Sequence, residues 1–261
     1  MQFNKSEFVL GITMNIKDHT DKYTMEDYNI VKRDFDEIAD LPNPPKWNHN
    51  NCYFNYLLKF LPNRVGMCLD IGCGQGELSA LLAKRSEKVV AVDLSSRMIK
   101  RAAKDNSLPN IDYICGNILE MTFADKSLDV IITTATAHHL PFEWLLTFAK
   151  QKLKNGGMFI VLDLVNAETL YDKVLWGVAA VPNVFMNIIK NGRLIKDDPH
   201  SAAVWKKHGE HDTYMTLNEI KALTEKHLPN ALIRRKLFWR YVLVWKNSIN
   251  SSLSCKTLKS P

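Results

Sequence analysis

The sequence lacks several features that would assign a class of protein at once. Its five cysteines contain no C-x-x-C pair, which argues against a disulfide framework and a zinc knuckle. The first eighteen residues hold an apolar run of only five, too short for a signal-peptide core. The longest charge-free run, residues 174–189, has sixteen residues and is interrupted by Pro182, so it is too short to span a membrane. We therefore expect a soluble, cytoplasmic protein.

The composition and net charge of the chain exclude few classes of protein. The chain has 261 residues, 46% of them apolar and 24% charged, which are globular values, and its net charge is +6. Part of the excess of basic residues is clustered near the C-terminus, at Arg234, Arg235, Lys236, Arg240 and Lys246. Such a cluster fits a nucleic-acid patch or the solvated face of a strand hairpin, and we favour the hairpin.

The residues that are present indicate an α/β fold. Short apolar runs at 65–71, 88–94, 111–117, 128–135 and 156–164 predict strands, and they alternate with segments of helical periodicity. This alternation predicts parallel pairing through helical crossovers, hence a doubly wound, Rossmann-like sheet. Residues 231–247 read as two tightly joined strands, one of which must run antiparallel, so we predict a mostly parallel, seven-stranded sheet with an antiparallel C-terminal hairpin.

The chain divides into three stretches, the second of which contains an insertion. We predict an N-terminal cap segment over 1–50, a main domain over 51–247 and a flexible tail over 248–261. Within the domain, residues 165–214 form a long irregular insertion that predicts a lid. Thr216 and Glu219, just after it, have the spacing of a capping box and begin a helix.

The glycine-rich turn after the first strand indicates the ligand. This strand ends at Asp70, and Gly72, Gly74 and Gly76 follow it as G-x-G-x-G rather than the dinucleotide pattern G-x-G-x-x-G. An acid beside the turn repels phosphate and suits an amino-bearing ligand. Asp93 ends the second strand, where a carboxylate can accept both ribose hydroxyls. A nucleoside without phosphates fits both features, and S-adenosylmethionine is such a ligand.

Five segments carry a family resemblance: LDIGCGQGELS, VVAVDLSSRMI, YICGNILEMTF, LDVIITTATAHHL and LKNGGMFIVLDL. In this order and spacing they resemble the class I S-adenosylmethionine-dependent methyltransferases, and within these the ubiquinone/menaquinone-methyltransferase-like group that acts on small molecules. The resemblance covers residues 47–163 well and 216–246 loosely.

The resemblance implies a cofactor site along the carboxyl ends of the strands. Asp70 and the backbone of Gly72, Cys73 and Gly74 would hold the methionine end of the cofactor, and Asp93 the ribose. The adenine and methyl regions would be lined by Leu94, Met98, Asn117, Ile118, Thr134 and Ala135. Asn117 departs from the usual aspartate, but its amide oxygen can still accept a hydrogen bond from the adenine amine. Met98 is equally compatible with a core position.

The acceptor side is predicted from position in the chain. His138 and His139 follow the fourth strand, so one of them could act as a base or orient the acceptor. His49 and Asn50 are candidates for the carboxylate end of the cofactor. Trp47 and two aromatic residues of the insertion, Trp176 and Phe185, are candidates for acceptor contacts.

We predict no metal site, because the spacing of His200, His208, His211 and Asp212 matches no known ligand pattern and an exposed polar loop explains it better.

The leading hypothesis is therefore methyl transfer to a small, apolar or aromatic acceptor by in-line displacement. A nucleic-acid methyltransferase is an alternative, but TTATAHHLP replaces the N/D-P-P-Y/F/W motif that holds a flipped base. A non-catalytic, cofactor-binding module is the third possibility, and turnover would distinguish it. We expect no specific nucleic-acid partner.

Overall fold

The structure is a computed structural model that describes residues 24–42, 47–168, 188–189 and 198–248. Within these ranges, no helix has both the length and the apolar character needed to cross a membrane. The contributions of 169–187 and 190–197 to the predicted lid, and the tail beyond 248, lie outside the described residues.

Seven strands form a single sheet in the order β3-β2-β1-β4-β5-β7-β6. The five parallel strands are β1 (Val65–Ile71), β2 (Ser86–Asp93), β3 (Ile111–Cys115), β4 (Leu128–Thr134) and β5 (Leu153–Leu164). The hairpin strands β6 (Leu232–Lys236) and β7 (Arg240–Lys246) follow, and β7 runs antiparallel to β5. The predicted fold class, a doubly wound and mostly parallel sheet, is confirmed. Strand order reverses between β1 and β4, which opens a crevice at their carboxyl ends.

Helices cover both faces of this sheet. They are α1 (Met25–Ala39), α2 (Glu77–Ala83), α3 (Ser96–Asp105), α4 (Phe142–Lys152), α5 (Pro199–Gly209) and α6 (Leu217–His227). Side chains alternate along each strand, so Leu69 and Ile71 join one buried cluster while Cys68 joins the other. A strand buried on both faces needs a continuous apolar run, which is why these segments read as strands in the sequence.

Capping determines where several helices begin. Thr216 and Glu219 form the predicted capping box of α6, and Ser95 caps α3 by accepting a hydrogen bond from the Met98 amide. Thr24 begins α1 with a capping box to Asp27.

The structure corrects three details of the predicted elements. The sequence of residues 51–61 predicts one helix, but the segment forms short 3-10 and α-helical turns. The sequence also predicts that Gly156 and Gly157 end the helix before β5, whereas α4 ends at Lys152 and runs directly into the strand, which contains both glycines. Part of the insertion predicted to be irregular is the helix α5, whose N-cap is Asp198 and whose first residue is Pro199.

The N-terminal helix α1 packs beside the crevice. Ile38, Ala39 and Leu41 form a buried cluster with Met98 of α3 and Val204 of α5. Polar contacts support this packing, because the Ser95 hydroxyl donates to Asp36 at 2.6 Å and Lys207 pairs with Glu37 at 2.9 Å. Helix α1 therefore connects α3, which follows β2, to α5.

Candidate active site

The glycine-rich turn begins where β1 ends. Gly72, Gly74 and Gly76 have φ values of +70°, +52° and +79°, a region that costs other residues about 1–2 kcal/mol. A Cβ at Gly72 would lie 2.1 Å from the Thr136 hydroxyl oxygen, so glycine is needed there for close approach of the two loops. A Cβ at Gly74 would meet no atom within 4 Å, which leaves open space for a ligand above the turn.

Asp70 is a buried acid beneath this turn. One carboxylate oxygen accepts a hydrogen bond from the Ser79 hydroxyl at 2.6 Å, and the other is buried with no partner among the described residues. Burial raises the pKa of Asp70 to about 7; the Ser79 hydrogen bond opposes this rise and the charge on Asp93 adds to it. An acid with an unused oxygen in a dry setting would be stabilised by a cationic ligand, as the sequence predicted for an amino group.

Asp93 lies at the end of β2, beside the same turn. Its two oxygens accept the amide N–H groups of Gly74, at 2.8 Å, and Ser95, at 2.9 Å. These bonds fix the orientation of the carboxylate, and each oxygen keeps a second lone pair. Burial raises the pKa of Asp93, while the two backbone hydrogen bonds lower it. The carboxylate is thus held in one orientation, as a ribose acceptor requires.

The residues predicted to contact adenine follow the ends of β2 and β3. The Asn117 amide oxygen accepts the Leu119 N–H at 3.1 Å and so caps a short 3-10 turn that begins at Ile118. Its remaining lone pair stays available for an adenine amine. Leu94 is partly buried, whereas Met98 is only 4% exposed and packs in the buried cluster with α1. This packing favours the core position for Met98.

The loop after β4 lies against the glycine turn. Ala135 has φ +51°, a strained conformation for a non-glycine residue that costs about 1–3 kcal/mol. Its N–H donates to the Leu162 carbonyl at 2.8 Å, which holds the loop to β5. The Thr136 hydroxyl donates to the carbonyl of Thr134 at 3.1 Å and approaches that of Gly72 at 3.5 Å. Strain of this kind is typical of functional loops.

His138 is fixed by an acid that the sequence analysis did not identify. Asp163, near the end of β5, accepts the His138 backbone N–H at 2.7 Å and contacts the ring Nδ1 at 2.8 Å. Burial lowers the pKa of His138, but the charge and hydrogen bond of Asp163, with Asp212, outweigh it and the pKa is raised. Asp163 ends a strand as Asp70 and Asp93 do, and this shared position is the signal that could have found it.

The structure brings His138 and His139 next to two residues of the insertion, His208 and Asp212. We call these four residues the histidine cluster. The ring centroids of His138 and His139 are 3.9 Å apart, and those of His139 and His208 are 5.3 Å apart. Burial, with the charges of the other two histidines, lowers the pKa of His139 to about 2. His139 is therefore neutral at physiological pH.

The histidine cluster overturns one interpretation from the sequence. His208 and Asp212 do not lie on an exposed polar loop, since their side chains are 7% and 6% exposed. His200 is exposed, as predicted, and the side chain of His211 is 47% exposed. The spacing of His200, His208, His211 and Asp212 matched no ligand pattern. The residues that contact His208 and Asp212 come from distant parts of the chain, including the β4 loop and α1.

The segment before β1 packs on the tip of the β6–β7 hairpin. The His49 ring stacks on Phe238 at 4.9 Å, and Trp47, only 6% exposed, meets the same ring edge-on at 5.5 Å. The Asn50 side-chain oxygen accepts two hydrogen bonds from Arg240, at 2.8 Å and 2.6 Å. Trp47, His49 and Asn50 thus have partners within the protein, and their predicted ligand contacts stay predictions.

Arg240 does not belong to the basic surface to which the sequence assigned it. Its side chain is buried, with the residue only 6% exposed, and it points toward Asn50. Lys236 lies over the ring of Tyr56, 3.7 Å from its centroid. The candidate nucleic-acid patch is therefore smaller than the sequence indicated. Trp176 and Phe185 lie outside the described residues.

Comparisons with known proteins agree with this geometry. Residues 69–161 match the model of a methyltransferase domain family. An uncharacterised methyltransferase of Mycobacterium bovis is 26% identical over 204 residues, which cover 77% of this chain and 96% of that protein. The ubiquinone/menaquinone biosynthesis C-methyltransferase of Bartonella henselae is 30% identical over 141 residues, covering 50% of this chain and 52% of that one.

A solved structure shares the fold. The N-methyltransferase NodS of Bradyrhizobium japonicum, in complex with S-adenosyl-L-homocysteine, superimposes with a TM-score of 0.54 at 13% identity and covers 83% of this chain and 97% of that chain. The residues matched by the family model contain the glycine turn, Asp70, Asp93 and both crevice histidines. The chain therefore contains a methyltransferase domain and is similar to S-adenosylmethionine-dependent methyltransferases.

Proposed function

We propose that the protein transfers the methyl group of S-adenosylmethionine to a small, apolar or aromatic acceptor that carries one polar group. The observation that carries this proposal is the position of the histidine cluster. His138 follows β4 by four residues, and the Thr136 hydroxyl between them approaches the Gly72 carbonyl within 3.5 Å. A polar group bound at the cluster would therefore lie beside the methionine end of the cofactor.

The cofactor would be held by residues that already have the required geometry. Asp70 would face the amino group of the cofactor, and the open space at Gly74 would admit its methionine chain. Asp93 would accept hydrogen bonds from the ribose hydroxyls. S-adenosylmethionine supplies a methyl group activated by a sulfonium. What remains for the protein is to align the acceptor atom with that methyl and to exclude water.

The surroundings of the histidine cluster favour a small acceptor. Phe35 of α1 meets the His139 ring edge-on at 5.6 Å and the His208 ring at 4.8 Å. The side chains of His138 and His139 are only 7% and 10% exposed. A covered site of this kind fits a compact molecule better than a base in a nucleic-acid strand, which would need an open groove beside the crevice.

The identity of the relatives supports an apolar acceptor. The Bartonella henselae relative is named as a C-methyltransferase of ubiquinone and menaquinone biosynthesis. The predicted lid contributes the longest charge-free run of the chain, residues 174–189. A closing segment of that composition would cover an apolar acceptor and keep water from the reacting atoms.

Methyl transfer should be measured with apolar small molecules and with nucleic acids as acceptors. We expect S-adenosylhomocysteine to form with apolar phenols, quinols or long-chain acids, and not with duplex DNA or transfer RNA at 200 mM salt, where nonspecific phosphate contacts fade. Labelled methyl recovered in nucleic acid would overturn the assignment of the acceptor class. A protein that binds the cofactor but releases no product with any set would instead be a non-catalytic binding module.

A further inference from the structure

We propose that His138, His139, His208 and Asp212 form a binding site for a divalent transition metal of the zinc type. This inference goes beyond the methyl transfer proposed above, because metal binding is measured without an acceptor and does not depend on turnover. It also replaces the expectation from the sequence that the chain has no metal site.

Asp212 lies close to all three histidines. Asp212 Oδ2 lies 3.9 Å from His138 Nε2 and 3.6 Å from His208 Nε2, and Asp212 Oδ1 lies 3.8 Å from His139 Nδ1. These distances exceed a hydrogen bond of 2.7–3.2 Å. Ligands bound tetrahedrally to zinc at about 2.0–2.2 Å lie about 3.4 Å from one another, so the Asp212–histidine separations are roughly 0.2–0.5 Å longer than that spacing. Ligand atoms of His138, His139 and Asp212 all lie within 4.8 Å of one another, and His208 joins this group through Asp212.

Carboxylates behind the cluster orient two of the rings. Asp163 Oδ1 lies 2.8 Å from His138 Nδ1, and Asp34 Oδ2 lies 3.3 Å from His208 Nδ1. When Nδ1 donates to a carboxylate, the lone pair of the ring is on Nε2, and in both rings Nε2 is the atom that faces Asp212. A carboxylate behind each ligating histidine is the usual outer shell of a zinc site.

His139 is poorly paired within the described residues. Its Nδ1 atom, 3.8 Å from Asp212 Oδ1, is beyond hydrogen-bond reach, and its buried Nε2 atom has no hydrogen-bond partner in that part of the chain. A ring nitrogen in a protein interior normally has a partner, because an unsatisfied polar atom there costs about 1–3 kcal/mol. Coordination of an ion through Nδ1 would give that nitrogen a strong interaction, and Nε2 would then carry the ring proton.

Buried charge favours a cation at this position. The side chains of Asp34, Asp163 and Asp212 are 5%, 2% and 6% exposed. Arg240 is the cation whose charge acts on His138 from β7. Histidines that ligate a metal are neutral, so with an ion bound the three carboxylates would exceed the Arg240 guanidinium by two negative charges, which a divalent ion would balance.

The ligand set selects the kind of metal. Three imidazole nitrogens and one carboxylate oxygen suit zinc and its first-row neighbours, whereas magnesium and calcium prefer oxygen ligands. The ligands come from the β4 loop, α5 and the segment after α5. The metal would therefore connect α5 to the loop at the carboxyl end of β4, beside the crevice.

The test is a metal titration of the full chain after removal of metal with a chelator. We expect Zn²⁺ and Co²⁺ to bind one ion per chain, bound Co²⁺ to show the absorption of a four-coordinate site, and Mg²⁺ not to compete. Loss of an outer-shell partner typically costs 10–100-fold in metal affinity, so the ligand variants His139→Ala and Asp212→Asn should lose more than about 100-fold. His200→Ala removes an exposed histidine from α5, the helix that contains His208, and this variant should bind Zn²⁺ as the wild type does.

Folding is monitored separately by circular dichroism and by binding of S-adenosylhomocysteine. Asp212→Asn keeps the size of the side chain and an acceptor for the Tyr214 hydroxyl, which lies 2.7 Å from Asp212, so it should retain the fold. Wild-type protein that binds Zn²⁺ no more tightly than folded Asp212→Asn would overturn the metal site. So would equal losses in His200→Ala and His139→Ala. Absence of methyl transfer in protein that binds zinc would count against the proposed acceptor alone.

Discussion

The buried acid under the glycine turn gives the most specific prediction. Asp70 is 1% exposed, accepts one hydrogen bond from Ser79 and has one oxygen without a partner. Without cofactor, a charge at this position destabilises the folded protein. Replacing Asp70 with asparagine keeps the shape and the Ser79 contact but removes the charge. We expect Asp70→Asn to make the cofactor-free protein more stable than the wild type above neutral pH, and to weaken cofactor binding.

The size of this effect follows from the pKa. Burial raises the pKa of Asp70 from 3.8 to about 7 in the folded protein, so between these values the folded chain holds a proton that the unfolded chain has lost. The free energy of unfolding must then fall as pH rises through this window. At about 1.36 kcal/mol per tenfold change in proton affinity, the whole fall is about 4 kcal/mol, of which roughly 3 kcal/mol lies between pH 5 and pH 8.

Urea unfolding at pH 5, 6, 7 and 8 would measure this slope. Asp70→Asn should gain roughly 3 kcal/mol on the wild type from the lowest pH to the highest. The matched control is Asp112→Asn on β3, which removes an exposed acid paired with Lys88, and exposed pairs contribute at most about 1 kcal/mol. Saturating S-adenosylmethionine should flatten the slope of the wild type, because its amino group would stabilise the Asp70 carboxylate.

Other titrating groups act equally on both proteins, so the comparison isolates Asp70. Identical slopes for the wild type and Asp70→Asn would show that this acid is ionised throughout the range. The assignment of Asp70 to the amino end of the cofactor would then lose its electrostatic basis.

Three further predictions concern the cofactor and acceptor sites. Asp93→Ala should weaken S-adenosylhomocysteine binding by about 1.5–3 kcal/mol for each ribose hydrogen bond lost, and unchanged affinity in calorimetry would refute the ribose assignment. Gly74→Ala and Gly156→Ala share a positive φ and open space for a Cβ, so both should cost about 1–2 kcal/mol of stability, whereas only Gly74→Ala should abolish cofactor binding. Trp176→Ala and Phe185→Ala should raise the KM for the acceptor with little change in cofactor affinity, and the reverse pattern would refute the lid.

The sheet could be predicted from the sequence because its information is local. A buried parallel strand needs a continuous apolar run, and β1 was predicted with its observed bounds, Val65–Ile71. Caps are also local, as Ser95 and Thr216 demonstrate. The acids Asp70 and Asp93 were identifiable because strand ends in this topology converge on one crevice.

The histidine cluster could not be predicted in the same way. Asp34 and His208 are 174 positions apart in the chain, and no rule of spacing relates α1 to a helix inside an insertion. His208 and Asp212 were interpreted as part of an exposed polar loop because polar residues in an irregular segment are usually solvated. Tertiary packing of α1 on α5 buries them instead, through Ile38 and Val204.

The glycine turn above Asp70 and the histidine cluster meet at one short loop. Residues 135–137 follow β4, approach the glycine turn through Thr136 and lead into His138 of the cluster. Ala135 is strained at φ +51°, the Thr136 hydroxyl reaches toward Gly72, and His138 is held to Asp163 by two contacts. Displacement at carbon requires the acceptor atom, the methyl and the sulfonium to lie in line, where a displacement of 1 Å can cost about 100-fold in rate. A rigid loop that contacts the cofactor turn at one end and fixes His138 at the other meets that requirement. Ala135, at the start of the loop, departs from the backbone conformation that non-glycine residues prefer, as is expected where sequence is constrained by function.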